Sequence, residues 1–279
     1  MTGPTSEAAP AKVNLTLHVT GRRSDGYHLL DSLVVFADIA DVIEAQTADA
    51  LSLVLAGEGA VGLAADADNL VLRAARLFDG APGARITLHK HLPVAAGIGG
   101  GSADAAATLR LLSRLWQRPL PAPDDILTLG ADVPVCLHGT AARMRGVGER
   151  LDPVPGLPEG LGIVLANPRV PVSTPDVFRA LERRDNPPMA EMPAFTDAAK
   201  FAAWLRAQRN DLQPAAVRVA PVISDVLRAL QGTGPMITRM SGSGATCFAL
   251  YPSVSEAQHA CNAVRGLHPG WWLRAGAVL

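Results

Sequence analysis

The chain has 279 residues, a formal net charge of −1 and a pI near 6.7. That length exceeds one ordinary core, so two domains are expected, and the near-neutral charge excludes any broad electrostatic attraction to nucleic acid. Three widely separated cysteines, Cys136, Cys247 and Cys261, lack Cys-x-x-Cys spacing or a histidine cluster, which excludes a zinc site and a disulfide framework as expectations.

The first nine residues carry neither a basic nor an apolar leader, and no stretch reaches the length of a membrane span, so a cytoplasmic protein without a membrane partner is expected. Lys12-Val-Asn-Leu-Thr-Leu-His-Val19 alternates strictly, with Val13, Leu15, Leu17 and Val19 on one face and Lys12, Asn14, Thr16 and His18 on the other. This predicts a half-buried strand whose Lys12 and Asn14, about 6.5–7 Å apart on one side, can touch one small ligand.

A turn at Gly21-Arg-Arg-Ser-Asp-Gly26 leads into apolar, strand-like runs at Leu29 to Phe36 and Leu51 to Ala56. Residues 69–78 carry a helical apolar stripe closed by Gly80, with Asp68 or Asn69 placed to cap it. Arg85-Ile-Thr-Leu-His-Lys-His-Leu92 alternates again, but Lys90 falls in phase with Ile86, Leu88 and Leu92. It is read either as a strand-end lysine reaching solvent or as a ligand-facing charge, and the glycine loop nearby favours the second. His89 and His91 share the opposite face without a third ligand, so they read as exposed polar residues.

Four glycines then fall within Gly97 to Gly101, ahead of an alanine-rich helix, Ser102 to Trp116, with Ser102 as its expected N-cap. Glycine clusters ahead of helices bind phosphate, because bare backbone N–H groups and the positive helix end converge there. The loop lacks the lysine of the phosphate-loop pattern and the third glycine of the dinucleotide pattern, so any phosphate is held with different wiring. In Leu129-Gly-Ala-Asp-Val-Pro-Val-Cys-Leu137, Asp132 interrupts an apolar run. Facing a cation such as Lys12, it suits phosphoryl transfer, the carboxylate taking or orienting a hydroxyl proton and the lysine steadying the alkoxide and γ-phosphoryl charge.

The proline- and glycine-rich stretch Leu151 to Gly160 predicts the domain boundary, dividing the chain into 1–154 and 155–279. Beyond it come an expected strand at Gly162 to Ala166 and helices near Pro175 to Arg183, Thr196 to Arg206 and Pro221 to Leu230. Strands follow at Met236 to Met240 and Thr246 to Tyr251, then a helix from Ser253, where Ser253 and Glu256 form a capping-box pattern, and a strand near Trp272. That β-β-α-β tail suits a ferredoxin-like sandwich. A second glycine loop, Met240-Ser-Gly-Ser-Gly-Ala245, joins two of its strands.

Pro10-Ala-Lys-Val-Asn14, Pro93-Val-Ala-Ala-Gly-Ile-Gly-Gly-Gly-Ser-Ala-Asp104 and Ser241-Gly-Ser-Gly-Ala245 resemble, in order and spacing, the three motifs of the GHMP kinases. Gly21 to His28, Leu129 to Val135 and Asn210-Asp211 look closest to the branch acting on a cytidine-diphosphate-linked methylerythritol in non-mevalonate isoprenoid synthesis. The resemblance implies an α+β, two-domain GHMP kinase fold. Its N-terminal ATP-binding domain has a left-handed βαβ unit, its C-terminal domain is a ferredoxin-like α/β sandwich, and the substrate lies between them. It also implies ATP-dependent phosphorylation of the substrate's 2-hydroxyl, with Mg²⁺, by a monomer or weak homodimer.

By the same resemblance, Lys12 and Asp132 match the catalytic pair. Pro93, Val94, Ala95, Ala96, Gly97, Ile98, Gly99, Gly100, Gly101, Ser102 and Ala103 match the ATP phosphate loop, and Asn69 and Lys90 match positions near adenine and ribose. Asn14, Tyr27, His28, Thr174 and Phe178, with Gly242, Ser243 and Gly244, match the substrate side. Tyr27 and Phe178 suit stacking on cytosine and His28 hydrogen-bonding to its edge. No protein ligand for a metal is assigned: Ser102 is present, but the sequence does not identify the acid that would accompany it. The alternatives are a GHMP kinase for another small alcohol, or a nucleotide-binding sensor that keeps the fold without catalysis.

Overall fold

The computed structural model describes residues 5–279. Strand β1 (Thr5–Asn14) pairs with β3 (His28–Thr47), a single strand of 20 residues where the sequence predicts an end at Phe36. Past Phe36 the buried positions are Ala37, Ile39, Asp41, Ile43 and Ala45, while their neighbours lie nearer solvent. The period of two therefore continues, hidden in the sequence because Asp41 occupies one of its inward places.

The chain divides into two units. The first comprises the chain up to Ala11, Ala40–Val94 and Gly99–Gly139. In it the second half of β3 pairs antiparallel with β5 (Ala84–His89), Val42 opposite His89 through Thr47 opposite Ala84. Strand β4 (Ser52–Ala56) runs parallel to β5, and helix α1 (Leu70–Arg76) lies between them in sequence. Helix α2 (Gly100–Trp116) packs against α1 and against α4 (Val133–His138), with the short α3 (Pro123–Leu127) between α2 and α4 in the chain. Its small buried residues Ala103, Ala105, Ala106 and Ala107 allow close approach, and Leu109, Leu111 and Leu112 are fully buried, each contributing about 1.5–3 kcal/mol.

The second unit comprises Lys12–Ile39, Ala95–Ile98 and Thr140–Leu279. Here the first half of β3 pairs antiparallel with β2 (His18–Arg22) and β6 (Ala142–Gly146), and β6 with β7 (Arg150–Pro153). A second sheet contains β8 (Gly162–Asn167), β9 (Ile237–Met240), β10 (Cys247–Tyr251) and β11 (Trp272–Ala277). Its spatial order is β11-β8-β10-β9, with every pair antiparallel. Helices α5 (Thr174–Arg179), α6 (Ala198–Ala207), α7 (Gln213–Val219) and α8 (Val222–Gln231) separate β8 from β9, and α9 (Val254–Leu267) separates β10 from β11. This is the β-α-β-β-α-β sandwich expected for the tail, and the class is α+β.

Three local expectations change. Helix α7 has no counterpart among the expected elements, being one short element that starts at Gln213-Pro214. At α9, Ser253 Oγ accepts from Glu256 N at 3.2 Å as predicted, but Glu256 takes the Ser253 hydroxyl rather than its backbone N–H. The strand expected from Lys12 to Val19 breaks between Asn14 and His18, and both of its faces are buried, the polar one included. Among the described residues no helix is long and apolar enough to cross a membrane.

Candidate active site

In the second unit the buried polar face of β1 is satisfied residue by residue. Lys12 Nζ donates to Asn14 Oδ1 at 3.0 Å, the two side chains sharing one side of the strand. Asn14 Nδ2 donates to Ser32 Oγ at 2.8 Å, and Ser32 Oγ donates to Thr16 O at 2.5 Å. Thr16 Oγ1 accepts from Leu33 N at 2.8 Å. Burying such groups is tolerated only when they are paired, and these are.

Ser241, at the start of the second glycine loop, ties this strand to the first loop. Its Oγ accepts from Asn14 N at 3.0 Å and donates to Gly97 O at 2.9 Å, while Lys12 N donates to Ile98 O at 3.0 Å. Gly97 has φ 72°, and a Cβ there would come 2.6 Å from Ser241 O, so only glycine fits on both counts. Asn210 fixes the second loop by donating to Met240 O at 2.8 Å and Gly242 O at 2.9 Å. Beside it, Thr174 Oγ1 and Ser243 Oγ share a hydrogen bond of 2.7 Å, bringing together two residues expected to face substrate.

Tyr27 stands on the turn before β3 and is 65% exposed. His28 stacks on Phe178, ring centroids 4.6 Å apart and 22° from parallel. On α5, Val177 is fully buried, whereas Phe178 is only partly covered and presents its ring to His28. Burial first, then Arg22 and Arg184, pushes the His28 imidazole below its ordinary pKa, so it is neutral at pH 7. Its buried Nε2 has no hydrogen-bond partner on the chain. A neutral imidazole carries one N–H donor and one acceptor nitrogen, the pair of functions that suits the edge of a base.

In the first unit α2 begins at Gly100, and its N-cap is Gly99, φ 64°, rather than the expected Ser102. The loop reaches the helix through a left-handed residue that only glycine adopts cheaply, which moves the helix start forward and leaves Ser102 inside the first turn. Gly99 has no side chain to satisfy the first-turn N–H groups, so this helix end remains a ready partner for an anion such as a nucleotide phosphate. Asn69 caps α1 as predicted, accepting from Val71 N at 3.0 Å and donating from Nδ2 to Ala64 O at 2.8 Å. Asp132 is the N-cap residue of α4, half-buried, and makes no capping side-chain bond.

Lys90 is buried and does not reach solvent, so the strand-end reading is overturned. Its Nζ binds Asp41 Oδ2 and, at 2.7 Å, Asp104 Oδ2. Burial alone would lower the Lys90 pKa, but Asp104 and Asp41 outweigh it and hold the ammonium above its ordinary value. Burial, opposed by Lys90 and reinforced by Asp41, raises Asp104 to about 7. His89 pairs with Glu44 at 3.3 Å, and among the described residues no group of three or more His, Cys, Asp or Glu side chains is placed to hold a metal.

Three contributors to the site are not identified by the sequence. Asp41 carried a signal, an acid in phase with Ile39 and Ile43. Asp104 and Ser241 lie inside the glycine-loop motifs, but their roles depend on partners from distant segments that spacing does not reveal.

A family model described as GHMP kinases N terminal domain matches residues 69–142, and one described as GHMP kinases C terminal matches residues 190–269. The chain is 59% identical over 271 residues to 4-diphosphocytidyl-2-C-methyl-D-erythritol kinase of Cereibacter sphaeroides, covering 96% of this chain and 97% of that protein. It is 58% identical over 274 residues to the protein of that name from Ruegeria pomeroyi, covering 97% and 98%. A crystal structure of 4-(cytidine 5'-diphospho)-2C-methyl-D-erythritol kinase superposes with a TM-score of 0.77 at 35% identity, covering 98% of this chain and 99% of that one. Homoserine kinase from Cytophaga hutchinsonii shares the fold, with a TM-score of 0.65 at 19% identity over 100% of this chain and 96% of that one.

Proposed function

The chain belongs to the family of 4-diphosphocytidyl-2-C-methyl-D-erythritol kinases within the GHMP kinases, and from that premise we propose its reaction and the residues that perform it. It is an ATP-dependent kinase of the non-mevalonate isoprenoid route. It moves the γ-phosphoryl group of ATP to the 2-hydroxyl of 4-diphosphocytidyl-2-C-methyl-D-erythritol, giving the 2-phosphate and ADP.

Asp132 accepts or orients the proton of the attacking hydroxyl, and Lys12 stabilises the developing alkoxide and the charge on the transferred group. Asn14, by accepting from Lys12 Nζ, aims that ammonium. Pro93 to Ala103 receives the ATP phosphates on backbone N–H groups and the α2 end, and Asn69 lies toward the nucleoside. Ser102, in the first turn of α2, is the hydroxyl suited to Mg²⁺ carried by ATP. Thr174 and Ser243, with Gly242 and Gly244, hold the acceptor, and Tyr27, His28 and Phe178 hold its cytosine. Lys90 supports the loop through its ion pairs with Asp41 and Asp104. We assign the boundary along the sequence to residue 154, supported by the proline-rich stretch at 151–160 and by the two family matches on either side of it, although the compact units divide differently, with Lys12–Ile39, Ala95–Ile98 and Thr140 onward forming one of them.

The observation that carries the choice of a cytidylylated acceptor is the His28–Phe178 stack beside the exposed ring of Tyr27. Coupled ADP release on a panel of alcohols tests it. Turnover is expected with the cytidylylated methylerythritol and not with homoserine or mevalonate. Preference for another alcohol would select a different GHMP activity, and nucleotide binding without turnover on any alcohol would select a sensor.

A further inference from the structure

Lys90 and Asp41 are two charges set into the apolar faces of neighbouring strands. In the antiparallel β3–β5 pair, Val42 faces His89 and Ile43 faces Leu88, so continuing the register by one residue puts Asp41 opposite Lys90. Both side chains are buried, at 0% and 3% exposed. Opposite charges directly across a strand pair attract, and burial removes the water that would otherwise weaken them.

Asp41 does more than neutralise the lysine. While Oδ2 takes the Lys90 ammonium, Oδ1 accepts from His91 N at 2.5 Å and Leu92 N at 2.8 Å. Those are the last residues before the loop that starts at Pro93. The same ammonium donates to Asp104 Oδ2 at 2.7 Å, in the second turn of α2, just past the loop. A Cβ on Gly100 would lie 3.1 Å from Lys90 Nζ, so the cluster sits directly against the first residue of α2.

We propose that Asp41 is a positioning residue for nucleotide binding: through Lys90 and Asp104 it clamps the two limbs of the glycine loop at a fixed separation, so that the backbone N–H groups at the α2 end are aimed before ATP arrives. The inference rests on the reading of residues 93–103 as the ATP loop. It makes Lys90 part of the frame under that loop rather than a source of positive charge for the phosphates, since two carboxylates already claim its ammonium. Asp104 Oδ1 is buried and without a hydrogen-bond partner, consistent with a cluster built around one cation and two acids.

The test compares the wild type with Asp41→Asn and with the milder Asp104→Asn, which keeps an acceptor for Nζ. Three readouts are taken: amide hydrogen exchange at His91 and Leu92 without nucleotide, binding of a fluorescent ATP analogue without acceptor, and the kcat and KM of each substrate. Expected for Asp41→Asn are exchange about a hundredfold faster, analogue affinity and ATP KM weakened about tenfold, and kcat and acceptor KM within about threefold of wild type. Asp104→Asn shows the same split at smaller amplitude, and decides alone if Asp41→Asn does not fold. Unchanged ATP KM and analogue affinity in the folded variants overturn the proposal, whatever happens to exchange. So does a parallel loss for both substrates, which marks general destabilisation. A wild type that turns over no ATP with any alcohol contradicts the proposed function instead, and leaves the exchange and analogue arms to judge the clamp.

Discussion

Lys12 Nζ donates to Asn14 Oδ1 across 3.0 Å, and Asn14 N in turn donates to Ser241 Oγ across 3.0 Å. A buried ammonium is thereby aimed by the side chain of a residue whose backbone is held by the second glycine loop, and whose Nδ2 is fixed on Ser32 Oγ. An ammonium fixed in direction before the reaction stabilises charge without reorganising, which is how such a group lowers a barrier.

If Lys12 and Asp132 act as proposed, each can be removed with binding preserved. Lys12→Met is expected to lower kcat about a hundredfold or more, and Asp132→Asn about 10²–10⁴-fold, with ATP affinity by calorimetry close to wild type. Single-turnover phosphoryl transfer checks both. Full activity in Asp132→Asn would remove that residue from the mechanism.

Ser241→Ala leaves the buried Asn14 N–H without its acceptor and the half-buried Gly97 O without its donor. Orphaning buried groups in this way costs about 1–3 kcal/mol. Denaturant unfolding should register that loss, and a variant as stable as wild type would show that the bridge contributes nothing.

Phe178→Ala removes the ring on which His28 stacks. With cytosine held by the aromatic pair, KM for the cytidylylated substrate should rise about 10–100-fold while KM for ATP stays put, since stacking a base is worth about 1–3 kcal/mol. Equal changes in both constants would argue that Phe178 merely packs the second unit.

His18 supplies a pH dependence. Burial first and Arg209 second depress its pKa, against the opposing Pro187 carbonyl, Asp211 and Asp31. Its Nδ1 faces Pro187 O at 3.3 Å and its Nε2 accepts from Arg209 N at 3.3 Å, so the native ring is neutral. With a folded pKa below the ordinary 6.5, the unfolded chain takes up the proton first as pH falls. Stability is therefore intact above about pH 6.5 and declines below it toward the folded pKa, by up to about 1.4 kcal/mol per pH unit. Thermal unfolding from pH 8 to 5 should show a shallower acid limb for His18→Gln than for wild type; identical slopes would refute the assignment.

Much of this was legible because periodicity and glycine clusters report local backbone. The alternation of β1 exposed Lys12 and Asn14, and the run at 97–101 exposed the loop. What stayed hidden depends on distant partners. The polar face of β1 reads as a solvent face until Ser32 and Ser241 are seen to bury it. Strand β3 reads as ending at Phe36 because Asp38 and Asp41 break an apolar run, although Asp41 keeps the inward phase and meets Lys90. Ser102 reads as a cap by residue type, but the left-handed turn at Gly99 starts the helix earlier.

Phosphorylation of the 2-hydroxyl of 4-diphosphocytidyl-2-C-methyl-D-erythritol is decided by ³¹P NMR of the product. Expected are loss of the ATP γ resonance, appearance of ADP, and one new phosphomonoester assigned to the 2-position, with the cytidine diphosphate resonances retained. A phosphomonoester at another hydroxyl, or ATP consumed without any new ester, would contradict it.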